Sequence, residues 1–286
     1  MEFYRIKLIL VFLVFISCNK DNENSRITNP AEAYQTTKAI TSNGFSFEVV
    51  IDKPEGDELD VLMVFHGTVR YDSQIMQAAH NALNGFKNIL DIDDMMIVSM
   101  AYPQEGLLFG DNIEYGEAAL LWLQNEAKSE LEIDIQKIFL AGHSQGGYLV
   151  TRLNTMHATD GVIANGPGPL NLVFRCQLEE NGALPEGDVC SILNNEYGLP
   201  SANPAPYFER SLHNFTSGFK SDILFVQGLD DSAIQMHSWP TFKENLLECE
   251  DCQIIQFLEL EATGHNALFL SPQARSAFNE FINSRL

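Results

Sequence analysis

Short apolar runs alternate with amphipathic stretches along most of the chain. Continuous apolar runs bounded by turn residues are typical of parallel strands that are buried on both faces. Such runs predict strands at residues 61–65, 95–101, 137–141, 161–164, 222–227 and 254–260. Between them, the pattern predicts helices at 74–90, 113–127, 145–156, 207–214, 238–247 and 272–284. The alternation predicts an α/β fold with one mostly parallel central sheet and helices on both faces.

Two segments depart from this alternation. Residues 34–41 and 45–51, joined through Ser42-Asn43-Gly44, predict an antiparallel hairpin. Residues 166–206 are rich in Gly, Pro, Asn and acidic side chains, which predicts an irregular insertion that caps a site. We expect residues 34–286 to form one domain.

The first residues are typical of an export signal. A cationic start with Arg5 and Lys7, the apolar run 8–16 and then Ser17-Cys18 predict a cleaved signal peptide at 1–17. Residues 15–18 resemble the cleavage box of bacterial lipoproteins, which implies a lipid on Cys18 and a membrane anchor. Residues 18–33 then form a tether, and residues 19–23 resemble a surface-export signal. We expect an exported lipoprotein that faces the periplasm or lies on the outer cell surface.

Five cysteines leave four once Cys18 carries lipid. Four cysteines allow three disulfide connectivities, and we favour Cys176–Cys190 and Cys249–Cys252. The second pair could also be a redox motif or half of a zinc site. Acidic neighbours disfavour a reactive thiolate, and no second Cys/His pair has zinc spacing. We therefore predict no metal and no cofactor.

The charge of the chain excludes one class of partner. Acidic residues number 39 against 17 basic ones, a formal net charge of −22. Nucleic-acid binding depends on neutralising phosphates with Lys and Arg, so no nucleic-acid partner is expected. The simplest interpretation of the acidity is solubility.

A Gly-x-Ser-x-Gly pattern spans Gly142–Gly146, between a predicted strand and a predicted helix. A serine on such a strained turn needs glycines two residues to either side, because bulkier residues would clash. The turn presents the hydroxyl at the carboxyl end of the strand, where open α/β sheets bind ligands. We predict that Ser144 is a nucleophile, the alternative being a glycine-rich turn without chemistry.

A serine nucleophile needs a base. Among seven histidines, His265 follows the last predicted strand directly. His143 is too close to Ser144 along the turn, and the others are interpreted as surface or packing residues: His80, His157, His213 and His237.

An acid must orient that base. Asp230 and Asp231 both follow the preceding strand, and the spacing Gly228-x-x-Asp231 favours Asp231.

An oxyanion hole needs backbone N–H groups aimed at the developing negative charge. Gln145, directly after the serine, offers one, and Thr68, after the first central strand, offers the other. His66 is either part of this loop's function or a structural residue that bonds its own loop. Tyr71, three residues after Thr68, is predicted to shape the acyl pocket.

From about residue 45 onward the chain resembles the α/β-hydrolase superfamily, and the order Ser144, Asp231, His265 is the order of its triads. The segments 117–123 and Tyr207-x-x-Arg210-Ser211 resemble the prolyl-oligopeptidase and dienelactone-hydrolase-like branch. Leu212 stands where peptidases of that branch often have proline, and the chain has no room for their propeller. The resemblance implies a serine hydrolase of small or oligomeric carboxylic esters, and the export signal places it outside the cytoplasm. An oligopeptidase and a catalytically inactive binding protein are the alternatives.

Overall fold

The computed structural model of the chain describes residues 32–286. The predicted signal peptide, the lipidation of Cys18 and nearly all of the tether lie outside the described residues. Eight strands form one sheet: β1 (Tyr34–Ser42), β2 (Phe45–Lys53), β3 (Glu58–Phe65), β4 (Met96–Ala101), β5 (Asp134–His143), β6 (Gly161–Asn165), β7 (Ile223–Gly228) and β8 (Ile255–Leu260).

The sheet has the strand order β1-β2-β4-β3-β5-β6-β7-β8. β1 and β2 form an antiparallel hairpin whose turn residues, Asn43 and Gly44, have φ angles of 51° and 86°, as a two-residue turn of this kind requires. β2 pairs antiparallel with β4. The six strands β4-β3-β5-β6-β7-β8 are all parallel to one another. The prediction of a mostly parallel sheet is confirmed.

Ten helices surround the sheet within the described residues. They are α1 (Ile75–Lys87), α2 (Ile113–Asn125), α3 (Ala127–Leu131), α4 (Gln145–Met156), α5 (Leu172–Glu180), α6 (Asp188–Tyr197), α7 (Ala205–Glu209), α8 (Ala233–Leu247), α9 (Ala267–Leu270) and α10 (Pro272–Asn283). None of the helices in residues 32–286 is long and apolar enough to span a bilayer.

Two hydrophobic cores lie on opposite faces of the sheet. On β3, Val61, Met63 and Phe65 face one core, while Leu62 and Val64 face the other. α2, α4 and α8 cover the first face, and α1, α9 and α10 cover the second. This double burial explains why the central strands are continuous apolar runs rather than alternating ones.

The insertion between β6 and β7 differs from its prediction. The alternation of strands does stop, but the segment is not irregular: it contains the helices α5, α6 and α7. Several of its Asn, Gly and Pro residues lie at helix ends, where such residues cap or terminate short helices. Asn171 caps α5 through its side chain, and Gly187, Gly198 and Pro204 flank α6 and α7.

Both predicted disulfides are present in the structure. Cys176 on α5 is bonded to Cys190 on α6, and Cys249 is bonded to Cys252 in the turn after α8. The first disulfide therefore ties two helices of the insertion together.

Two predicted helices have different limits. α8 begins at Ala233 rather than at 238, because the hydroxyl of Ser232 accepts a hydrogen bond from the N–H of Gln235 and caps the helix. His237 consequently lies inside α8. The predicted helix at 207–214 is instead the end of α7 followed by a short 3₁₀ turn at Leu212–Asn214.

Candidate active site

Ser144 occupies the turn between β5 and α4 in a strained conformation, with φ of 58° and ψ of −118°. A methyl group on Gly142 would lie 2.1 Å from the carbonyl oxygen of Gly146. One on Gly146 would lie 2.1 Å from the carbonyl oxygen of Phe65. The turn can therefore form only with glycine at both positions, and it holds the serine at the carboxyl end of the sheet.

His265 and Asp231 are joined by a hydrogen bond of 2.8 Å between Nδ1 and Oδ2. The Asp231 side chain is only 4% exposed. Burial alone would raise the pKa of this carboxyl group, but hydrogen bonds from His265, the Ser232 N–H and Gln227 outweigh it and lower the pKa. Asp231 is therefore ionised, and Nδ1 of His265 carries the proton that it donates.

The two neighbouring carboxylates that the sequence offers have different environments. Asp231 lies against His265, whereas Asp230 is exposed and its side chain makes no hydrogen bond among residues 32–286. The backbone N–H of Asp230 donates to the carbonyl of Thr263 at 2.8 Å. Asp230 thus joins the loop after β7 to the loop after β8 through its backbone, while its carboxylate faces solvent.

A buried pair of glutamines supports Asp231 from behind. Gln227 Nε2 donates to Asp231 Oδ2 at 3.2 Å. Gln235 Nε2 donates both to Gln227 Oε1 at 3.0 Å and to the carbonyl of Pro167 at 2.9 Å. Hydrogen bonds through Gln227 and Gln235 therefore connect the Asp231 carboxylate to the start of the insertion. Neither glutamine was predicted from the sequence, although Gln227 is a polar residue at the carboxyl end of a buried strand, which is a usable signal.

Asn165, the last residue of β6, connects the serine turn to the histidine loop. Its backbone carbonyl accepts the N–H of Ser144 at 2.9 Å. Its side-chain Oδ1 accepts the N–H of Leu268 at 3.1 Å, and Nδ2 donates to His143 Nδ1 at 2.8 Å and to the His265 carbonyl at 3.3 Å. This fully buried residue was also missed, though it ends a strand as the other site residues do.

His143 is a neutral neighbour of His265. Because the Leu268 N–H fixes the orientation of the Asn165 amide, Nδ1 of His143 accepts a hydrogen bond and Nε2 carries its proton. The ring centroids of His143 and His265 are 4.8 Å apart. Burial, together with repulsion from His265, lowers the pKa of His143 to about 4.

Thr68 and Gln145, the residues predicted to supply oxyanion N–H groups, both lie beside Ser144. Gln145 is the first residue of α4, so its N–H has no partner within the helix. The N–H of Thr68 makes no hydrogen bond with the part of the chain that the structure describes. A methyl group on Gly67 would lie 3.4 Å from Ser144 Cβ, so this loop packs directly against the serine.

His66 is a buried structural residue of that loop. Nδ1 donates to the carbonyl of Gly67 at 2.7 Å, and the ring stacks on Tyr102 with centroids 4.1 Å apart. Nε2 is buried and has no hydrogen-bond partner among residues 32–286. Burial lowers the pKa of His66 to about 4.

Two adjoining cavities form a cleft over the serine. The smaller, of about 400 Å³, is lined by Ser144, Asp231 and His265. The larger, of about 630 Å³, is lined by Thr68, Gln145, Tyr71, the loop 104–109 and the insertion helices α5 and α6. Tyr71 is 48% exposed and lies on the wall of the larger cavity. The insertion therefore roofs the site.

No protein-family model and no curated protein sequence matches this chain. Solved structures do resemble it. A hyperthermophilic esterase from the archaeon Pyrobaculum calidifontis superimposes with a TM-score of 0.64 at 16% identity, covering 90% of this chain and 84% of its own. An esterase structure from the fungus Rhizomucor miehei gives 0.63 at 16% identity, with 89% and 83% covered. The chain has the α/β-hydrolase fold.

A peptidase shares the α/β-hydrolase fold with these esterases. The acylaminoacyl peptidase of Pyrococcus horikoshii gives a TM-score of 0.59 at 14% identity, and the match covers 89% of this chain but only 42% of the peptidase. At such identities the likeness establishes the fold and not the reaction.

A single cluster of potential metal ligands occurs in the described part of this α/β-hydrolase fold. It consists of Cys249, Asp251 and Cys252. The two sulfur atoms are bonded to each other in a disulfide, so they are not available as thiolate ligands. The cluster also lies in the turn after α8, away from the residues that line the cleft.

Because His66 is buried and neutral in the folded protein, the free energy of unfolding decreases as the pH decreases. The unfolded chain binds a proton as the pH drops below about 6.5, whereas folded His66 resists protonation until about pH 4. Between pH 7 and pH 5 we expect His66 to account for about 2 kcal/mol of lost unfolding free energy. Urea unfolding at both pH values measures this: from pH 7 to pH 5, His66→Asn should lose about 2 kcal/mol less unfolding free energy than wild type.

His80→Asn, which removes a histidine of α1 that lines neither cavity, is the matched control. An equal loss of stability in wild type and His66→Asn would contradict the assignment of His66 as a buried neutral residue.

Proposed function

We propose that the protein is a serine hydrolase of carboxylic esters, in which Ser144 is the nucleophile, His265 the general base and Asp231 the acid. One observation carries the proposal: a strained serine and a hydrogen-bonded His–Asp pair line the same cavity. The esterase folds reported above support the choice of ester over other acyl compounds. A structural role for this turn would require neither the histidine nor the carboxylate.

The first half-reaction transfers the acyl group to the enzyme. His265 Nε2 takes the proton of the Ser144 hydroxyl while Oγ attacks the ester carbonyl. The carbonyl oxygen becomes an oxyanion, which accepts hydrogen bonds from the N–H groups of Thr68 and Gln145. His265 then gives its proton to the leaving alkoxide oxygen, so the alcohol departs and an acyl-serine remains.

Water completes the cycle. His265 removes a proton from a water molecule as its oxygen attacks the acyl-serine carbonyl, and it returns the proton to Ser144 Oγ as the acid leaves. The ionised Asp231 stabilises the imidazolium that forms in each half-reaction and keeps Nδ1 protonated, so that Nε2 always faces the serine.

Activity on p-nitrophenyl esters of rising chain length tests the proposal. We expect wild type to hydrolyse them and to be labelled by a fluorophosphonate, and Ser144→Ala to lose both labelling and at least about 10³-fold in kcat. A wild type that is not labelled would indicate the alternative of an inactive binding protein on a hydrolase scaffold. Undiminished labelling of Ser144→Ala would refute the nucleophile.

The oligopeptidase alternative rests on the structural similarity to the acylaminoacyl peptidase. The same assay, run beside aminoacyl-p-nitroanilides, separates the two reactions, because both release nitro-aromatic products. Faster turnover of the anilides than of the esters would favour the peptidase.

The two neighbouring aspartates give a matched pair of variants. Asp231→Asn should lower kcat about 10⁴-fold, because an amide neither stabilises the imidazolium nor selects the correct tautomer. Asp230→Asn changes an exposed carboxylate and should leave kcat within about threefold of wild type. Similar losses in both variants, or the larger loss in Asp230→Asn, would overturn the assignment of the acid.

The proposal includes export and anchoring through a lipid on Cys18. The sequence before and at Cys18 supports it, and so do two disulfides, which are rare in reducing compartments. In a bacterial host, we expect wild type to incorporate labelled palmitate and to fractionate with membranes, and Cys18→Ser to do neither. Lipid incorporation that survives in Cys18→Ser would contradict the anchor.

A further inference from the structure

Arg175 on α5 lies at the junction of the two cavities and lines both of them. Its Nε donates to Glu179 Oε1 at 3.3 Å. Its Nη1 and Nη2 groups make no hydrogen bond with any residue in the range 32–286. A guanidinium with two unused nitrogens therefore borders the cleft above the proposed nucleophile.

The position of this guanidinium is held by its surroundings. Glu179 is only 5% exposed, and its second oxygen accepts the N–H of Gly187 at 2.8 Å. The residue after Arg175 is Cys176, which the disulfide ties to Cys190 on α6. The Glu179–Gly187 hydrogen bond and the disulfide both hold the start of α6 against α5. The position of Arg175 is therefore fixed before a substrate binds.

The other charged groups of the larger cavity lie at its exposed rim, whereas the side chain of Arg175 is 37% exposed. Arg70 and Asp188 form an ion pair with an Nε–Oδ2 distance of 3.2 Å, and each side chain is about two thirds exposed. Glu105 Oε2 accepts the N–H of Asp72 at 3.1 Å. Arg175 is ion-paired with Glu179 through Nε, and its two Nη groups are donors left available to a group that enters the cleft.

The position of the cavities indicates which part of the ester meets Arg175. The leaving oxygen must reach His265 to receive its proton, so the alcohol occupies the smaller cavity, which His265 lines. Thr68 lines both cavities, whereas Gln145 lines only the larger one and His265 only the smaller one. The acyl group therefore extends into the larger cavity.

We infer that Arg175 is a specificity-determining residue that binds a carboxylate at the far end of the acyl group. The substrates would then be monoesters of dicarboxylic acids. The planar guanidinium can hold a carboxylate through two parallel hydrogen bonds, and Phe109, Val189 and Ile192 supply apolar walls for the spacer between the ester and the carboxylate. The inference rests on the ester-hydrolase function proposed above.

The test compares monoethyl esters of succinic, glutaric, adipic and suberic acid with ethyl esters of unbranched monocarboxylic acids of equal carbon number. Acid release is followed by titration at constant pH. For at least one chain length we expect wild type to prefer the anionic ester by about tenfold or more in kcat/KM, the size that a charged hydrogen bond supplies. Arg175→Gln should lose this preference through KM, while its kcat/KM for neutral esters stays within about threefold.

Two further variants make the result specific. Arg70→Gln removes an equal charge from the rim of the same cavity and should keep the preference. Arg175→Lys retains the charge without the planar fork and should keep part of it. Undiminished hydrolysis of neutral esters by Arg175→Gln shows that the insertion is still folded.

Three outcomes would overturn the inference. They are no preference for the anion at any chain length in wild type, equal losses for neutral and anionic esters in Arg175→Gln, and loss of the preference in Arg70→Gln. In each of these outcomes wild type still hydrolyses neutral esters, so the proposed function stands. Failure to hydrolyse any ester, together with no fluorophosphonate labelling, would instead overturn the proposed function and this inference with it.

Discussion

The close approach of backbone segments around Ser144 is the constraint on which the rest of the site depends. The turn brings α4 so near to the ends of β3 and β5 that no side chain fits at Gly142 or Gly146. Backbone strain of this kind costs about 1–3 kcal/mol. It persists because β5 is buried between the two cores and α4 packs into one of them, and because the Ser144 N–H is bonded to the Asn165 carbonyl.

Much of the fold could be predicted from hydrophobic pattern alone, because each central strand is buried on both faces and so reads as an uninterrupted apolar run. β3 illustrates this, with Met63 in one core and Val64 in the other. The insertion could not be predicted in the same way. Its helices are short and their apolar faces are narrow, so capping residues such as Asn171 and Gly187 dominate the local sequence and suggest loops.

The residues of the site also fall into a predictable and an unpredictable group. Ser144, Asp231 and His265 each follow a strand. Because ligands of open α/β sheets bind at the carboxyl ends of strands, the sequence alone predicted that the three residues share one site. Asn165 and Gln235 act across the sheet, through contacts between segments 22 to 103 residues apart. Arg175 lies on a helix whose position over the cleft depends on a disulfide and on Glu179. Such contacts arise only once the chain has folded.

The covalent link between α5 and α6 also has a consequence for binding energy. A cap that orders only when a ligand arrives subtracts its conformational entropy from the affinity. Here the disulfide, the Glu179–Gly187 hydrogen bond and the close packing of Cys176 restrict the roof of the cleft during folding. The entropy is therefore lost before any encounter with a ligand. Preorganisation of this kind leaves more of the contact energy for distinguishing one acyl group from another.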